Sequence, residues 1–172
     1  MLEFTGEQRL ERSPEELWPY FTDPDVLAEC APGCKSMELV EPHRLEVTMA
    51  VGVGSVKPEF DVDVLVTEST FPSVLSMRAI GHAPRNEFEM TADMALEPAE
   101  EGGTDVTWAA TADVSGTIAS LGGRALKSVT KRLVNRFFDD LEAIAADGEM
   151  DAVSRLETAP PGASLGTVDD ES

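Results

Sequence analysis

The sequence predicts an α+β fold in which one antiparallel sheet of about six or seven strands wraps around a long C-terminal helix. Three observations predict it. Two helix-start signals follow a first short strand, a central stretch alternates apolar and polar residues, and the last periodic stretch has the longer period of a helix. Consecutive strands with short connections form a meander, and the terminal helix then covers its apolar face.

The chain begins with a predicted strand and two short helices. Residues 2–10 alternate apolar and polar side chains, as a half-buried strand does. The segment Ser13-Pro14-Glu15-Glu16 combines an N-cap, a proline at the first helical position and the acid of a capping box. Pro19 is expected to keep this helix short. Asp23-Pro24 repeats the cap-then-proline pattern and starts a second helix, which should end at Pro32-Gly33.

From residue 36 the pattern changes to the alternation of strands. Apolar side chains occupy every second position, acidic side chains or threonines often lie between them, and proline or glycine turns separate the runs. One face of the sheet is therefore expected to be apolar and the other acidic. The positions predicted to face inward are Leu45, Val47, Met49, Val51, Phe60, Val62, Val64, Val66, Leu75, Met77, Ala79, Phe88, Met90, Ala92, Met94, Leu96, Val106, Trp108, Ala110, Ala112 and Val114.

The last periodic stretch predicts one helix over about residues 118–146. At roughly 100° per residue, one face of this helix is apolar, whereas Arg124, Lys127 and Lys131 fall on the opposite face. The apolar face is expected to pack on the concave side of the sheet. It consists of Ile118, Gly122, Ala125, Leu126, Val129, Leu133, Phe137 and Ile144.

Length and composition predict a single domain. A chain of 172 residues has room for one substantial core, and from Gly148 it becomes rich in proline, glycine and acidic residues without a period. We expect a domain over residues 1–147 and a disordered acidic tail over 148–172. No apolar run is long enough to span a bilayer, and the first residues lack the pattern of a signal peptide. The expected location is therefore the cytoplasm.

The charge is strongly one-sided, with 33 acidic and 13 basic residues and a net charge of −20. Such a surface repels phosphate backbones, which excludes nucleic acid as an expected partner. Arginine outnumbers lysine, and alanine, valine and aspartate are abundant. We interpret this as a halophilic composition, because at molar salt a Debye length of ~3 Å screens the self-repulsion. An acidic mesophilic protein is the alternative.

The two cysteines and two histidines do not form a recognisable metal or redox centre. Cys30 and Cys34 flank a Pro-Gly turn at a helix end, whereas a redox pair favours Cys-x-x-Cys at a helix start. A zinc site needs four ligands, and only His43 and His82, in two separate turns, could complete the set. We therefore expect no metal, no cofactor and no catalytic residue, with the thiols packing as small apolar groups and both histidines at the surface.

One helix cannot cover the whole apolar face of the expected sheet. A helix is ~10 Å across, whereas strands ~4.8 Å apart make a sheet of six or seven strands much wider. The uncovered part must collapse or enclose a ligand, and an apolar cavity is the usual small-molecule site. Methionines suit an adaptable cavity, although ordinary core packing is the alternative for each. The predicted lining residues are Val47, Met49, Phe60, Val62, Met77, Phe88, Met90, Met94, Trp108, Ala110, Leu126, Val129, Leu133 and Phe137.

Three segments carry a resemblance to a known family. ELWPYFTDPDVLAECAPGCKSME is similar to the Trp-x-x-Phe/Leu-x-Asp-Pro-x-x-Leu…Pro-Gly pattern of the CoxG-like family, named for a component of carbon monoxide dehydrogenase. GTIASLGGRALKSVTKRLVNRFFDDLEA resembles its Gly-x-x-Ala-x-Leu-Gly…Phe-Phe terminal helix, and VGVGSVKPEFDVDVLV resembles its third and fourth strands. The resemblance covers about residues 2–146 and implies the helix-grip fold of the START/Bet v 1-like (SRPBCC) superfamily.

The resemblance also implies a function and a partner. We expect a non-enzymatic protein that binds a hydrophobic, quinone- or lipid-like molecule and is accessory to a molybdenum CO dehydrogenase-type system. A molybdenum hydroxylase-type complex or a membrane surface is the expected macromolecular partner. A pocket-based enzyme such as a polyketide cyclase is the second hypothesis, and an interaction module with a closed core is the third. Five basic residues within 124–136 form either a solvated helix face, which we favour, or a docking patch for an acidic partner.

Overall fold

The computed structural model describes residues 1–52, 55 and 57–165. Its elements follow the predicted order of one strand, two short helices, six strands and a long helix. They are β1 (Leu2–Leu10), α1 (Pro14–Phe21), α2 (Pro24–Cys30), β2 (Cys34–Glu41), β3 (Arg44–Ala50), β4 (Glu59–Thr70), β5 (Val74–Ala83), β6 (Asn86–Ala99), β7 (Gly103–Gly116), a 3₁₀ turn (Thr117–Leu121) and α3 (Gly123–Asp147). The predicted α+β fold is therefore confirmed.

Within the described residues the strands form one antiparallel sheet in the order β1-β7-β6-β5-β4-β3-β2. Each strand from β2 to β7 pairs with the next one along the chain, which is the predicted meander. The first strand closes against the last, with Leu2 opposite Ala112 and Leu10 opposite Thr104. We call the apolar face of this sheet, which lies toward α3, the concave face, and the opposite face the convex face.

The two short helices are capped as the sequence predicts. The Glu16 N–H donates to the Ser13 hydroxyl, and the Glu16 carboxylate accepts from the Ser13 N–H, both at 3.2 Å. The Asp23 carboxylate caps α2 by accepting from the Asp25 N–H at 2.9 Å. Pro19 does not end α1, which continues through it to Phe21.

The C-terminal helix begins later than the sequence pattern suggests. Residues 117–121 form a 3₁₀ turn, and Gly122 adopts φ 89°, a left-handed conformation that breaks the helical path and favours glycine. Ile118 therefore does not belong to α3, and the face that we counted from it is displaced. The buried residues of α3 are Phe138, Leu141 and Ala145 rather than the predicted stripe.

The packed core lies at one end of the domain, between α1, the C-terminal half of α3 and the adjacent strand ends. Phe21 of α1 contacts Phe138 edge-on, with ring centroids 6.1 Å apart. Leu17, Val66, Leu141 and other side chains around it are buried almost completely. This end of the sheet is closed by protein side chains.

The chain after α3 does not form the disordered tail that its composition predicts, because residues 150–165 lie against the domain. We call this segment the C-terminal strap. The Asp23 carboxylate, 5% exposed, accepts from the Val153 N–H at 2.9 Å and pairs with the Arg155 guanidinium. Arg155 also donates to Asp25 at 2.9 Å. The cap of α2 is thus also the anchor of the strap, and residues 166–172 of the predicted tail lie outside the described residues.

Beyond this anchor the strap continues along the sheet. The Leu156 side chain is 3% exposed and joins the core. The Ala159 N–H donates to the Val66 carbonyl at 2.9 Å, and Arg44 donates to the Ser164 carbonyl. The strap therefore crosses the convex face at Leu65, which is only 2% exposed despite lying on the acidic side of the strand. Apolar Leu65 among the convex acids was the sequence signal for a covering segment.

We expect Leu156→Ala to lower the free energy of unfolding by about 2–5 kcal/mol, because it empties a buried leucine site. The matched control is Val153→Ala in the same strap. Val153 is 55% exposed, so the control should change stability by less than about 0.5 kcal/mol. Urea denaturation followed by tryptophan fluorescence measures both. Equal midpoints for the two variants would show that the strap does not contribute to folding.

The strap anchor should also make stability depend on pH. Burial alone would raise the pKa of Asp23, but the amide of Val153, the guanidinium of Arg155 and the amide of Asp25 together hold that pKa below its usual range. A carboxyl whose folded-state pKa is lowered stabilises the fold above its unfolded-state pKa of about 3.9, and this contribution is lost as pH falls further through the folded-state pKa.

Asp23→Asn should therefore destabilise the protein by about 1–3 kcal/mol at neutral pH, and the gap to the wild type should shrink below about pH 4. Asp25→Asn is the control, because Asp25 pairs with the same arginine but its side chain is 76% exposed. Unfolding midpoints between pH 3 and pH 7 would measure the difference. A gap between Asp23→Asn and wild type that is constant over this range would contradict the assignment.

Candidate functional site

The concave face is packed to different degrees across the sheet. On β3 and β4, the predicted lining residues Val47, Phe60 and Val62 are buried, with 8%, 3% and 6% of their surfaces exposed. The predicted lining residues at the end of β3 and on the central strands β5–β7 are half-buried, namely Met49, Met77, Phe88, Met90, Met94, Trp108 and Ala110. The structure thus leaves the apolar centre of the sheet incompletely covered.

The helix above this face shows the same division. Along its first half, residues 123–137, no side chain is fully buried. The predicted lining residues Leu126, Val129 and Leu133 are half-buried there and lie outside the packed core of the described residues. Phe137 is half-buried and packs on the core through Phe21 and Phe138. We call the gap between the first half of α3 and the floor of β5–β7 the central groove.

Two aromatic side chains on the floor of the groove lie over glycines of neighbouring strands. Gly81 pairs with Phe88, and a Cβ added to Gly81 would lie 2.1 Å from the Phe88 ring. Gly6 pairs with Trp108, and a Cβ there would lie 2.6 Å from the indole. Both glycines face the groove by strand alternation, so each makes room for a ring to lie down on the sheet. The period-2 pattern could have indicated these two residues, which sequence analysis did not include in the site.

The groove has few polar groups. None of the predicted lining residues is ionisable, and their one strong hydrogen-bonding group is the indole N–H of Trp108. This nitrogen is buried and has no hydrogen-bond partner among the described residues. Near the edge, Gln8 of β1 donates to the side-chain oxygen of Asn135 on α3 at 3.0 Å. The site can therefore hold an apolar molecule, but its walls offer no acid or base for proton transfer.

Both histidines lie away from the groove. His82 is exposed on the convex face of β5, where its Nδ1 is 3.3 Å from the Glu87 carboxylate. His43 lies in the turn between β2 and β3, 3.8 Å from Glu41, and only 16% of its side chain is exposed. The expectation of two surface histidines therefore holds for His82, whereas His43 is half-buried beside the strap.

The cysteines are free thiols in the corner between α2 and β2. Burial raises the pKa of Cys30 to about 12, and burial also raises the pKa of Cys34. Neither thiol is thus activated as a thiolate. No group of three or more potential metal ligands occurs among the described residues. Cys30 is a member of the packed core, in keeping with the expected small apolar role.

The outer face of α3 carries the concentration of basic residues. Arg124, Lys127, Lys131, Arg132 and Arg136 are all exposed. Arg136 lies 3.9 Å from Asp140, one turn further along the helix. Such an exposed pair contributes little to stability. The solvated face and the docking patch thus remain the two interpretations of this surface. None of the described helices is both long and apolar enough to cross a bilayer.

Solved structures with the same fold cover most of this chain. A conserved protein from Geobacillus kaustophilus is 28% identical, with a TM-score of 0.81 over 86% of this chain and 97% of its own. Ara h 8.0201 is 17% identical, with a TM-score of 0.62 over 84% of this chain and 97% of its own. The Zhui aromatase/cyclase from Streptomyces sp. R1128 is 13% identical, with a TM-score of 0.63 over 87% of this chain and 96% of its own. These likenesses confirm the helix-grip, Bet v 1-like fold.

Sequence comparison then places the chain within this superfamily. No curated protein matches it in sequence. Residues 6–146 match the carbon monoxide dehydrogenase CoxG family. This range contains both short helices, strands β2 to β7 and all but the last residue of α3. Because the match spans most of a chain that has the helix-grip fold, this protein belongs to the CoxG family of carbon monoxide dehydrogenase components.

Proposed function

We propose that this protein is a non-enzymatic carrier that binds a hydrophobic small molecule in the central groove. The observation that carries the proposal is the set of apolar side chains left half-buried on both sides of the groove. Leu126, Val129 and Leu133 line the helix side, and Phe88, Met90 and Trp108 are among those on the sheet side. Each square ångström of apolar surface that a ligand covers contributes about 25 cal/mol.

The chemistry of the walls selects the class of ligand. A charged metabolite would lose its hydration in this groove without gaining an ionic partner, because the predicted lining residues carry no charge. A quinone- or lipid-like molecule loses little hydration there. Met90 and Met94 have flexible side chains that adapt to an irregular apolar shape. We therefore propose a quinone- or lipid-like ligand.

Family membership supports the rest of the proposal. The family name connects the chain to carbon monoxide dehydrogenase, and we propose an accessory role to a molybdenum enzyme of that type. A carrier of this kind would deliver or receive its ligand at the enzyme complex or at a membrane surface, and the basic face of α3 suits an acidic docking partner. We place the protein in the cytoplasm. The halophilic habit indicated by the composition stays a prediction.

An enzyme is the second candidate. One similar structure is described as an aromatase/cyclase, so this fold can hold a catalytic site. Such chemistry needs a titratable group within reach of the substrate. His82 is on the convex face, the thiol of Cys30 is buried, and none of the predicted lining residues is ionisable. These placements favour the carrier.

Ala110→Trp should separate an open groove from a closed core. Ala110 is half-buried and lies outside the packed core, between Phe4 and Ala92 in the sheet register. A tryptophan there should fill the groove and abolish binding of 2-methyl-1,4-naphthoquinone, measured by calorimetry, with little change in the unfolding midpoint. In a closed core the same change would cost about 1–3 kcal/mol. Such a loss, without binding to the wild type, would favour the interaction module.

Gly81→Ala should reduce the depth of the groove from below. The added Cβ would displace the Phe88 ring, so we expect ligand affinity to fall at least tenfold while the protein stays folded. Gly52→Ala is the matched control, because its Cβ meets nothing within 4 Å. The double variant Gly81→Ala/Phe88→Leu should recover affinity. Unchanged affinity in the single variant would show that the ligand does not lie over this part of the floor.

A further inference from the structure

The indole nitrogen of Trp108 is a buried donor without an acceptor among the described residues. Leaving such a group unsatisfied costs about 1–3 kcal/mol relative to its hydrogen-bonded state. Native proteins leave few buried polar groups in this condition, and each one needs a physical explanation. The position of this one, on the floor of an apolar groove, makes it a candidate for contact with a ligand.

The surroundings of the indole explain why the protein itself supplies no acceptor. Trp108 pairs with Gly6 on one side and Met94 on the other. Gly6 has no side chain, and the thioether of Met94 is at best a weak acceptor. The ring edge that carries the nitrogen lies over Gly6, where an added Cβ would be 2.6 Å from it. The nearest amide side chain along the same face of β1, that of Gln8, is bonded to Asn135.

The same surroundings let the indole turn. Apart from its buried nitrogen, Trp108 is half-buried, so part of its ring surface is accessible. Gly6 places no side chain beneath the ring to hold it in one orientation. A rotation about the Cβ–Cγ bond moves the N–H from the sheet toward the groove, at the cost of contacts with a residue that has no side chain.

We propose that Trp108 is the polar recognition residue of the groove, and that its N–H donates a hydrogen bond to a carbonyl oxygen of the ligand. This inference rests on the proposed carrier function and narrows its ligand class to flat, apolar molecules that carry a ring carbonyl. A hydrocarbon of the same shape fills the groove equally well but leaves the N–H unsatisfied. A single bond of this kind corresponds to about a tenfold preference for the carbonyl compound.

The test compares two probes of matched shape, 2-methyl-1,4-naphthoquinone and 2-methylnaphthalene, by calorimetry on the full chain. The readout is the ratio of their affinities. Trp108→Phe keeps an aromatic ring but removes the donor, so the ratio should fall about tenfold. Met94→Leu is the matched control, because it alters the neighbouring apolar wall without removing a donor, and the ratio should not change. An equal loss of affinity for both probes in Trp108→Phe overturns the proposal, since it would mean that the ring acts only through its area.

A second measurement uses the wild type alone and does not depend on how well a variant folds. In ¹⁵N-labelled protein, the indole proton of Trp108 should move downfield with the quinone and not with the hydrocarbon. The indole of Trp18, which lies in the packed core, is the internal reference. The same shift with both probes overturns the recognition role while leaving the carrier intact. Binding of neither probe overturns the carrier proposal itself, and this inference with it.

Discussion

The fold depends on a mismatch of widths. Seven strands about 4.8 Å apart span roughly 30 Å, whereas the one long helix that covers them is about 10 Å across. The chain resolves the mismatch at one end only, where α1 and the C-terminal half of α3 bring Phe21, Phe138 and Leu141 together. Over the central strands the remaining space is not filled by longer side chains. Phe88 and Trp108 instead lie down over glycines, which keeps the space low and apolar.

Much of this architecture follows from local sequence, and the exceptions have identifiable physical causes. The alternation of strands and the caps at Ser13 and Asp23 are local signals, and the structure has the predicted elements in the predicted order. The helix phase was displaced because Gly122 reads as a tolerable helical residue until its left-handed φ is known. The strap was missed because its anchors, such as Asp23 with Arg155, are far apart in sequence. Periodicity predicted which residues face the groove, but it does not indicate which of them pack fully: Phe60 and Met90 alternate alike, and only Phe60 is buried.

The perturbed titratable groups of this protein lie in its framework and not in its groove. The lowered pKa of Asp23 comes from the anchor of the strap, and the raised pKa of Cys30 comes from burial in the core. Catalytic sites usually concentrate such shifts where the substrate binds. Here the strongest electrostatic interactions stabilise the corner at α2, while the groove is bounded by neutral side chains. That separation is what a container for an uncharged molecule requires, because an ionisable wall would make its contents depend on pH.

The strap changes where this domain ends. The sequence likeness to the family stops at residue 146, so a boundary drawn by similarity would fall just before the close of α3. A chain cut there would leave the Asp23 carboxylate buried without its arginine and Leu65 open to solvent on the convex face. The unit that folds together thus extends at least to Leu165, about twenty residues beyond the unit that similarity defines. In other helix-grip chains whose segments after the long helix look featureless, a leucine on the acidic face of the sheet would indicate the same kind of covering segment.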